Sequence, residues 1–221
     1  MSRLQAQLDR LYPPAQPEGL RTLVLELASP ADWATLAPLW RGVQADLGLP
    51  APAIAVSGEG LQLWFSLQEP VDAERGAAFL AGLQQRYLAD VEPHRLRCLP
   101  SGRDPSGHAP QVPAPLAQPD QWSAFVAPDL APVFADTPWL DIPPNPEGQA
   151  ELLAPLQSIT PAALAAVLQQ LPGVAPAAAM PVAAAVAVEE RDPRRFLLRV
   201  MNDASVPLAL RIEAAKALLS R

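Results

Sequence analysis

Between residues 20 and 99 the apolar positions alternate between strand-like runs and helical stripes. Leu20–Leu27 is a short apolar run with β-branched Val24, suited to a buried strand. Ser29-Pro30 then gives a helix start, with Ser as N-cap and Pro at the first helical position. Trp33, Leu36, Leu39, Trp40 and Val43 continue at helical spacing, and Gly48 with Pro50 beyond it stops the helix. Ala53–Val56 and Leu61–Leu67 flank the turn Ser57-Gly58-Glu59-Gly60, a hairpin signal, and Pro70 closes the second strand. Asp72 caps a helix whose stripe is Ala78, Phe79, Leu83, Tyr87 and Leu88. Arg95–Leu99 is a last strand, ended by Pro100. This βαββαβ order predicts an α+β fold with an RNA-recognition-motif-like or ferredoxin-like core.

Outside that core the pattern weakens. Ser2–Leu11 carries Leu4, Leu8 and Leu11 at helical spacing and stops at Pro13-Pro14. Residues 101–121 are rich in Pro, Gly and Ser and read as a long loop. Trp122–Ala127 is a further strand candidate. Residues 128–141 hold Leu130, Val133, Phe134, Trp139 and Leu140, too apolar for a solvated linker and expected to pack on the core. Pro146–Leu156 and Thr160–Leu171 predict two more helices. The Ala/Pro/Val tract 172–190 reads as a tether, and 191–221 as a small amphipathic helical hairpin. The expected domains are therefore 1–171, a linker at 172–190 and a tail at 191–221. The tail is too small to fold alone unless it docks or self-associates.

Composition narrows the function classes. The chain has 221 residues and a formal net charge of −7, which disfavours duplex binding through a broad basic face but leaves room for a local arginine-lined groove. Its basic residues are nearly all Arg, with Lys216 the only lysine. With 28 prolines, that looks like the codon bias of a GC-rich bacterial or phage genome. Cys98 stands alone, which excludes an intramolecular disulfide and a multi-cysteine metal site. The opening residues lack a signal peptide's apolar core, and no apolar run reaches a membrane span's length; the expected compartment is the cytoplasm, with no membrane partner.

The chemistry-bearing positions cluster around the central hairpin. Gly58 and Gly60 free the backbone for φ > 0 and for outward N–H groups, the geometry of a phosphate cradle, although the same residues suit an ordinary hairpin turn. Gln62 and Trp64 alternate along one strand and share a face. Arg95 and Arg97 alternate likewise, and with Arg103 they form a small basic group able to grip phosphate or single-stranded nucleic acid, or simply to solvate an edge strand. Trp64, Trp122, Trp139, Phe125 and Phe134 are base-stacking candidates, with core packing the more ordinary fate of all but Trp64. His94 and His108, with Asp104 or Glu92, are a poor metal set without thiols. Neither Ser57 nor Ser101 sits in a hydrolase nucleophile motif.

The run Ala55-Val56-Ser57-Gly58-Glu59-Gly60-Leu61-Gln62-Leu63-Trp64-Phe65 resembles the Ser-Gly-x-Gly-x-His hairpin of archaeo-eukaryotic-type primases, the primase-polymerase superfamily. Leu23–Ala28 stands where that family carries its Asp-x-Asp/Glu metal strand. Val91–Gly102 resembles the region of the third acid and of an Arg-x-x-Arg-x-Pro-Gly-like end. The likeness covers roughly residues 20–102. It implies a nucleotidyltransferase core holding Mg or Mn on clustered carboxylates. The departures are specific: Glu26 matches the first acid, Ala28 replaces the second, Gln62 replaces the histidine, and Glu92 or Asp90 supplies the third acid. An amide hydrogen-bonds a phosphate but carries no charge. The resemblance therefore implies a degenerate member. It would bind a nucleotide, single-stranded nucleic acid or a DNA-replication partner through Ser57, Gly58, Gly60, Gln62, Trp64, Arg95, Arg97 and Arg103, with Glu26 and Glu92 as residual catalytic candidates and no confident metal site. An active metal-dependent primase and a ferredoxin-like interaction scaffold are the alternatives. The 191–221 segment is similar to helices of phage small-terminase-like proteins, which implies partner docking or self-association.

Overall fold

A computed structural model describes residues 2–14, 19–101 and 110–172. The chain divides into two units, residues 1–177 and 178–221, and all described residues belong to the first. Arg103, His108, nearly all of the Ala/Pro tract and the tail hairpin lie outside the described residues.

The fold is α+β, with a five-stranded antiparallel sheet and several helices. In chain order the elements are α1 (Arg3–Leu11), β1 (Leu20–Ala28), α2 (Trp33–Ala45), β2 (Ala53–Val56), β3 (Gly60–Val71), α3 (Ala73–Tyr87), β4 (Leu96–Leu99), β5 (Ala124–Val126), α4 (Pro146–Leu153) and α5 (Pro161–Gln170). The strand order is β4-β1-β3-β2-β5, and every named pair is antiparallel.

The alternation of side chains along each strand divides the core in two. Leu23, Leu25, Leu27, Ile54, Val56, Leu61, Leu63 and Phe65 join the larger cluster, with α2, α3 and α5 packed against it. Val24, Ala53, Ala55, Trp64, Leu99 and Phe125 form the second cluster with Leu8 and Leu11 of α1, Leu153 of α4, and Val112. Both faces are covered, so β1 and β3 read as nearly continuous apolar runs. The far edge is sealed by an amide: Gln149 on α4 accepts from the Phe125 backbone N–H at 2.8 Å and donates to the Phe125 carbonyl at 2.9 Å. This side chain stands in for a further strand and satisfies an otherwise exposed edge.

Several local expectations needed revision. The cap of α2 is Asp32, whose carboxylate accepts from Ala34 N–H at 2.9 Å, rather than Ser29. A carboxylate three residues on captures the free amides more directly than the Ser-Pro pair. Gly48, at φ +62°, does lie just past the end of α2. Strand β3 passes through Pro70 to Val71, where its pairing with β1 is irregular between Leu20 and Thr22, so the missing proline N–H costs no regular ladder bond. Strand β4 begins at Leu96, because Pro93 opens a 3-10 turn over Pro93–Arg95. Strand β5 begins at Ala124 rather than Trp122, whose backbone bridges Leu140 instead. In the following segment Phe134 and Leu140 pack on the core, but Leu130 and Val133 are exposed. The caps at Ser2, Asp72 and Thr160 each accept an N–H from the first turn of α1, α3 and α5.

Candidate functional site

Strand register brings Arg97, Glu26, Gln62, Ala55 and Phe125 into one row across the sheet, on the face opposite α2 and α3. The next row contains Leu99, Val24, Trp64 and Ala53. Within these rows the polar side chains form a continuous chain. Trp64 Nε1 donates to Gln62 Oε1 at 2.8 Å, and Gln62 Nε2 donates to Glu26 Oε1 at 3.1 Å. The Ser57 hydroxyl, arriving from the hairpin turn, donates to the same carboxylate oxygen. Arg97 Nη1 lies 3.9 Å from Glu26 Oε2 and 3.5 Å from Glu59 Oε2. Glu26 and Gln62 are each only 3% exposed. A buried carboxylate is tolerable only when its lone pairs are met, and here a hydroxyl, an amide and a guanidinium meet them.

Glu26, Gln62, Ser57 and Trp64 are thus brought together, as the sequence pattern anticipated. Their availability differs from the expectation. Trp64 is 5% exposed and packs against Tyr12 and Phe125, with ring centroids at 5.2 and 5.7 Å in edge-on geometry. Its ring is mostly core, not the exposed stacking platform expected of it. The amides of the turn are also committed. Ser57 N–H donates to the Gly60 carbonyl at 3.1 Å and Gly58 N–H to the Pro138 carbonyl at 2.8 Å. Glu59 and Gly60 N–H both donate to Ser57 Oγ, at 3.2 and 3.0 Å.

The glycines have a packing explanation instead. Gly58 has φ +87°, and a Cβ on Gly60 would sit 2.0 Å from the Leu27 carbonyl oxygen of β1. The turn therefore needs glycine to let β3 approach β1, with no phosphate required.

The arginines separate. Arg97 stays on the row and is 58% exposed. Arg95 lies in the 3-10 turn rather than beside Arg97 on a strand. Its Nη2 donates to the Pro30 carbonyl at 2.5 Å and, more weakly, to Ala28 at 3.5 Å, so this guanidinium fastens the β1–α2 connection. Glu92 does not join the buried chain; it is largely exposed and lies 3.4 Å from His94 Nε2. Among the described residues no group of three His, Cys, Asp or Glu side chains could hold a metal ion. Ala28 offers no ligand, and Glu26 is already engaged. The residues present do not fit the two-metal centre that the primase resemblance implies.

Sequence reasoning missed Arg21, Tyr12 and Asp9, which gather beside Trp64 at the other end of β1. Nothing in their spacing links α1 to β1; the sheet register does. Among the described residues, no helix is long and apolar enough to cross a membrane. No protein-family model matches the chain, and no curated protein is detectably similar to it.

Proposed function

We propose that the chain is a catalytically degenerate, primase-like binding module. The single observation that carries this reading is the row Arg97–Glu26–Gln62 with Ser57 above it. The positions that the primase resemblance aligns with the first acid and the histidine are direct cross-strand partners on one face. The element order β1-α2-β2-β3-α3-β4 and the strand order β4-β1-β3-β2 support an RNA-recognition-motif-like, ferredoxin-like core beneath that row. Topology alone does not imply function; the row adds residue-level support.

In this reading the former catalytic positions have become structural. Gln62 bridges Glu26 to Trp64, and that bridge replaces a metal-facing arrangement with a closed one. Binding of a nucleotide, single-stranded nucleic acid or a replication partner falls to exposed groups, of which Arg97 is the one on the row. The test is fluorescence anisotropy of labelled single-stranded DNA at low salt, where electrostatic attraction is greatest. Binding that weakens in Arg97→Gln supports the reading. No binding at low salt shifts the function to the interaction scaffold. Leu130, Val133 and Ile142 are 53, 70 and 71% exposed, and a contact surface there would suit that second reading.

A further inference from the structure

A cavity of about 450 Å³ opens on the second face of the sheet, at the Thr22 end of β1 and away from the hairpin. Its size is that of an ordinary small-molecule site. Leu8, Tyr12 and Trp64 give it apolar walls, while Asp9, Arg21 and Thr22 bring polar groups to the same space.

The two charges on its wall are not spent on each other. Arg21 donates from Nε to the Leu67 carbonyl at 2.9 Å and from Nη2 to the Arg10 carbonyl at 3.3 Å, and it makes no ion pair among the described residues. Among the described residues Asp9 accepts only from the Gln5 amide, at 2.8 Å. The Thr22 hydroxyl is buried in the wall without a hydrogen-bond partner among the described residues, and such a group costs stability until something meets it. The backbone bonds hold the guanidinium in place, so an anion meeting Nη1 would find it already ordered.

We propose that this cavity binds a small zwitterion, an α-amino acid with an apolar or aromatic side chain. The carboxylate faces Arg21, the ammonium faces Asp9, and the side chain lies against Tyr12, Trp64 and Leu8. Opposite charges in one cavity lining that also carries apolar side chains match that chemistry better than a simple anion, which Asp9 repels, or a simple cation, which Arg21 repels. The site does not depend on the primase likeness. Trp64 links it physically to the Gln62–Glu26 chain, because the indole N–H that anchors one wall of the cavity is bonded to Gln62.

The test is isothermal titration of the full chain with L-phenylalanine, phenethylamine, 3-phenylpropionate and adenosine. The expected result is binding of L-phenylalanine, with each single-charge analogue weaker by about tenfold or more. Asp9→Asn, an exposed position whose loss leaves folding intact, should weaken L-phenylalanine by a similar factor without lowering the melting temperature. Gln111→Trp, an exposed substitution at the cavity lining, should abolish binding. Equal affinity for the analogues, preference for adenosine, indifference to Asp9→Asn, or no heat up to about 10 mM ligand would each overturn the proposal.

Discussion

Replacing Gln62 by Leu tests whether the polar row is a structural bridge. The substitution keeps the side chain close in size but removes both ends of the amide. Glu26 loses a donor at 3.1 Å, and Trp64 Nε1 loses its acceptor at 2.8 Å, both in surroundings nearly closed to water. A hydrogen bond to a charged group is worth roughly 1.5–3 kcal/mol, and an orphaned buried donor costs roughly 1–3 kcal/mol. Leu recovers roughly 1–2 kcal/mol by being apolar, which leaves a net loss of about 0.5–5 kcal/mol, about 3 kcal/mol at the midpoints of these ranges. The histidine of the primase hairpin that this run resembles is the informative comparison. A neutral imidazole has one donor and one acceptor, so Gln62→His can serve both neighbours and should cost less than Gln62→Leu. The assay is urea unfolding, read as the shift in midpoint at constant slope. Combining Gln62→Leu with Trp64→Phe closes a double-mutant cycle; the two residues share one bond, so a coupling of about 1 kcal/mol is expected. A Gln62→Leu protein within about 0.5 kcal/mol of wild type would refute the reasoning, since it would mean that water or a rearrangement already serves both groups.

Three further outcomes follow from the same geometry. Gly60→Ala drives a methyl group into the Leu27 carbonyl and should destabilise by about 2 kcal/mol or more, measured by thermal melting; a neutral result would mean that the β1–β3 approach at the hairpin is looser than described. Burial pushes the Cys98 thiol up from 9.0 to about 11. The folded state therefore resists ionisation, and its stability is full below the unfolded value near 9 and declines as pH rises towards 11. The Tyr12 phenol, raised from 10.0 mainly by burial, adds to that loss above pH 10. Urea midpoints measured from pH 8 to 11 should fall less steeply in Cys98→Ala, and an unchanged slope would count against the burial. Arg97→Gln removes the guanidinium from exposed Glu59 at 3.5 Å and from the buried Glu26 carboxylate at 3.9 Å; the Glu59 contact is worth no more than about 1 kcal/mol and less at high salt, and the cation lost beside buried Glu26 should bring the total drop in urea-unfolding stability above that.

Much of the fold was legible because the signals were local. Helix starts at Ser2, Asp72 and Thr160, and the glycine turn, are read from chemistry within a few residues. The helix start at Ser29 was misplaced because Pro30 suggested it and Asp32 caps α2 instead; the strand start at Arg95 was early because Pro93 opens a 3-10 turn through Arg95. Pro70 within β3 was misread because proline is penalised only where a ladder bond is needed. Glu26 and Gln62 were singled out through the primase resemblance, and only the sheet register shows them to be cross-strand partners. Their burial was not legible. It depends on α1, α4 and Val112 closing the second face, contacts between segments far apart in sequence that no local pattern encodes. The same long-range closure turned Trp64 from a stacking surface into core, and it brought Arg21 and Asp9 to one cavity.

The central claim of the proposed function is that Glu26 supports the fold and does not support nucleotide transfer. Wild type and Glu26→Ala assayed side by side for nucleotide incorporation on a primed and an unprimed template, with magnesium and with manganese, test it most directly. The account predicts no incorporation by either protein, together with a lower unfolding midpoint for Glu26→Ala. Metal-dependent incorporation by the wild type that disappears in a folded Glu26→Ala protein would contradict it.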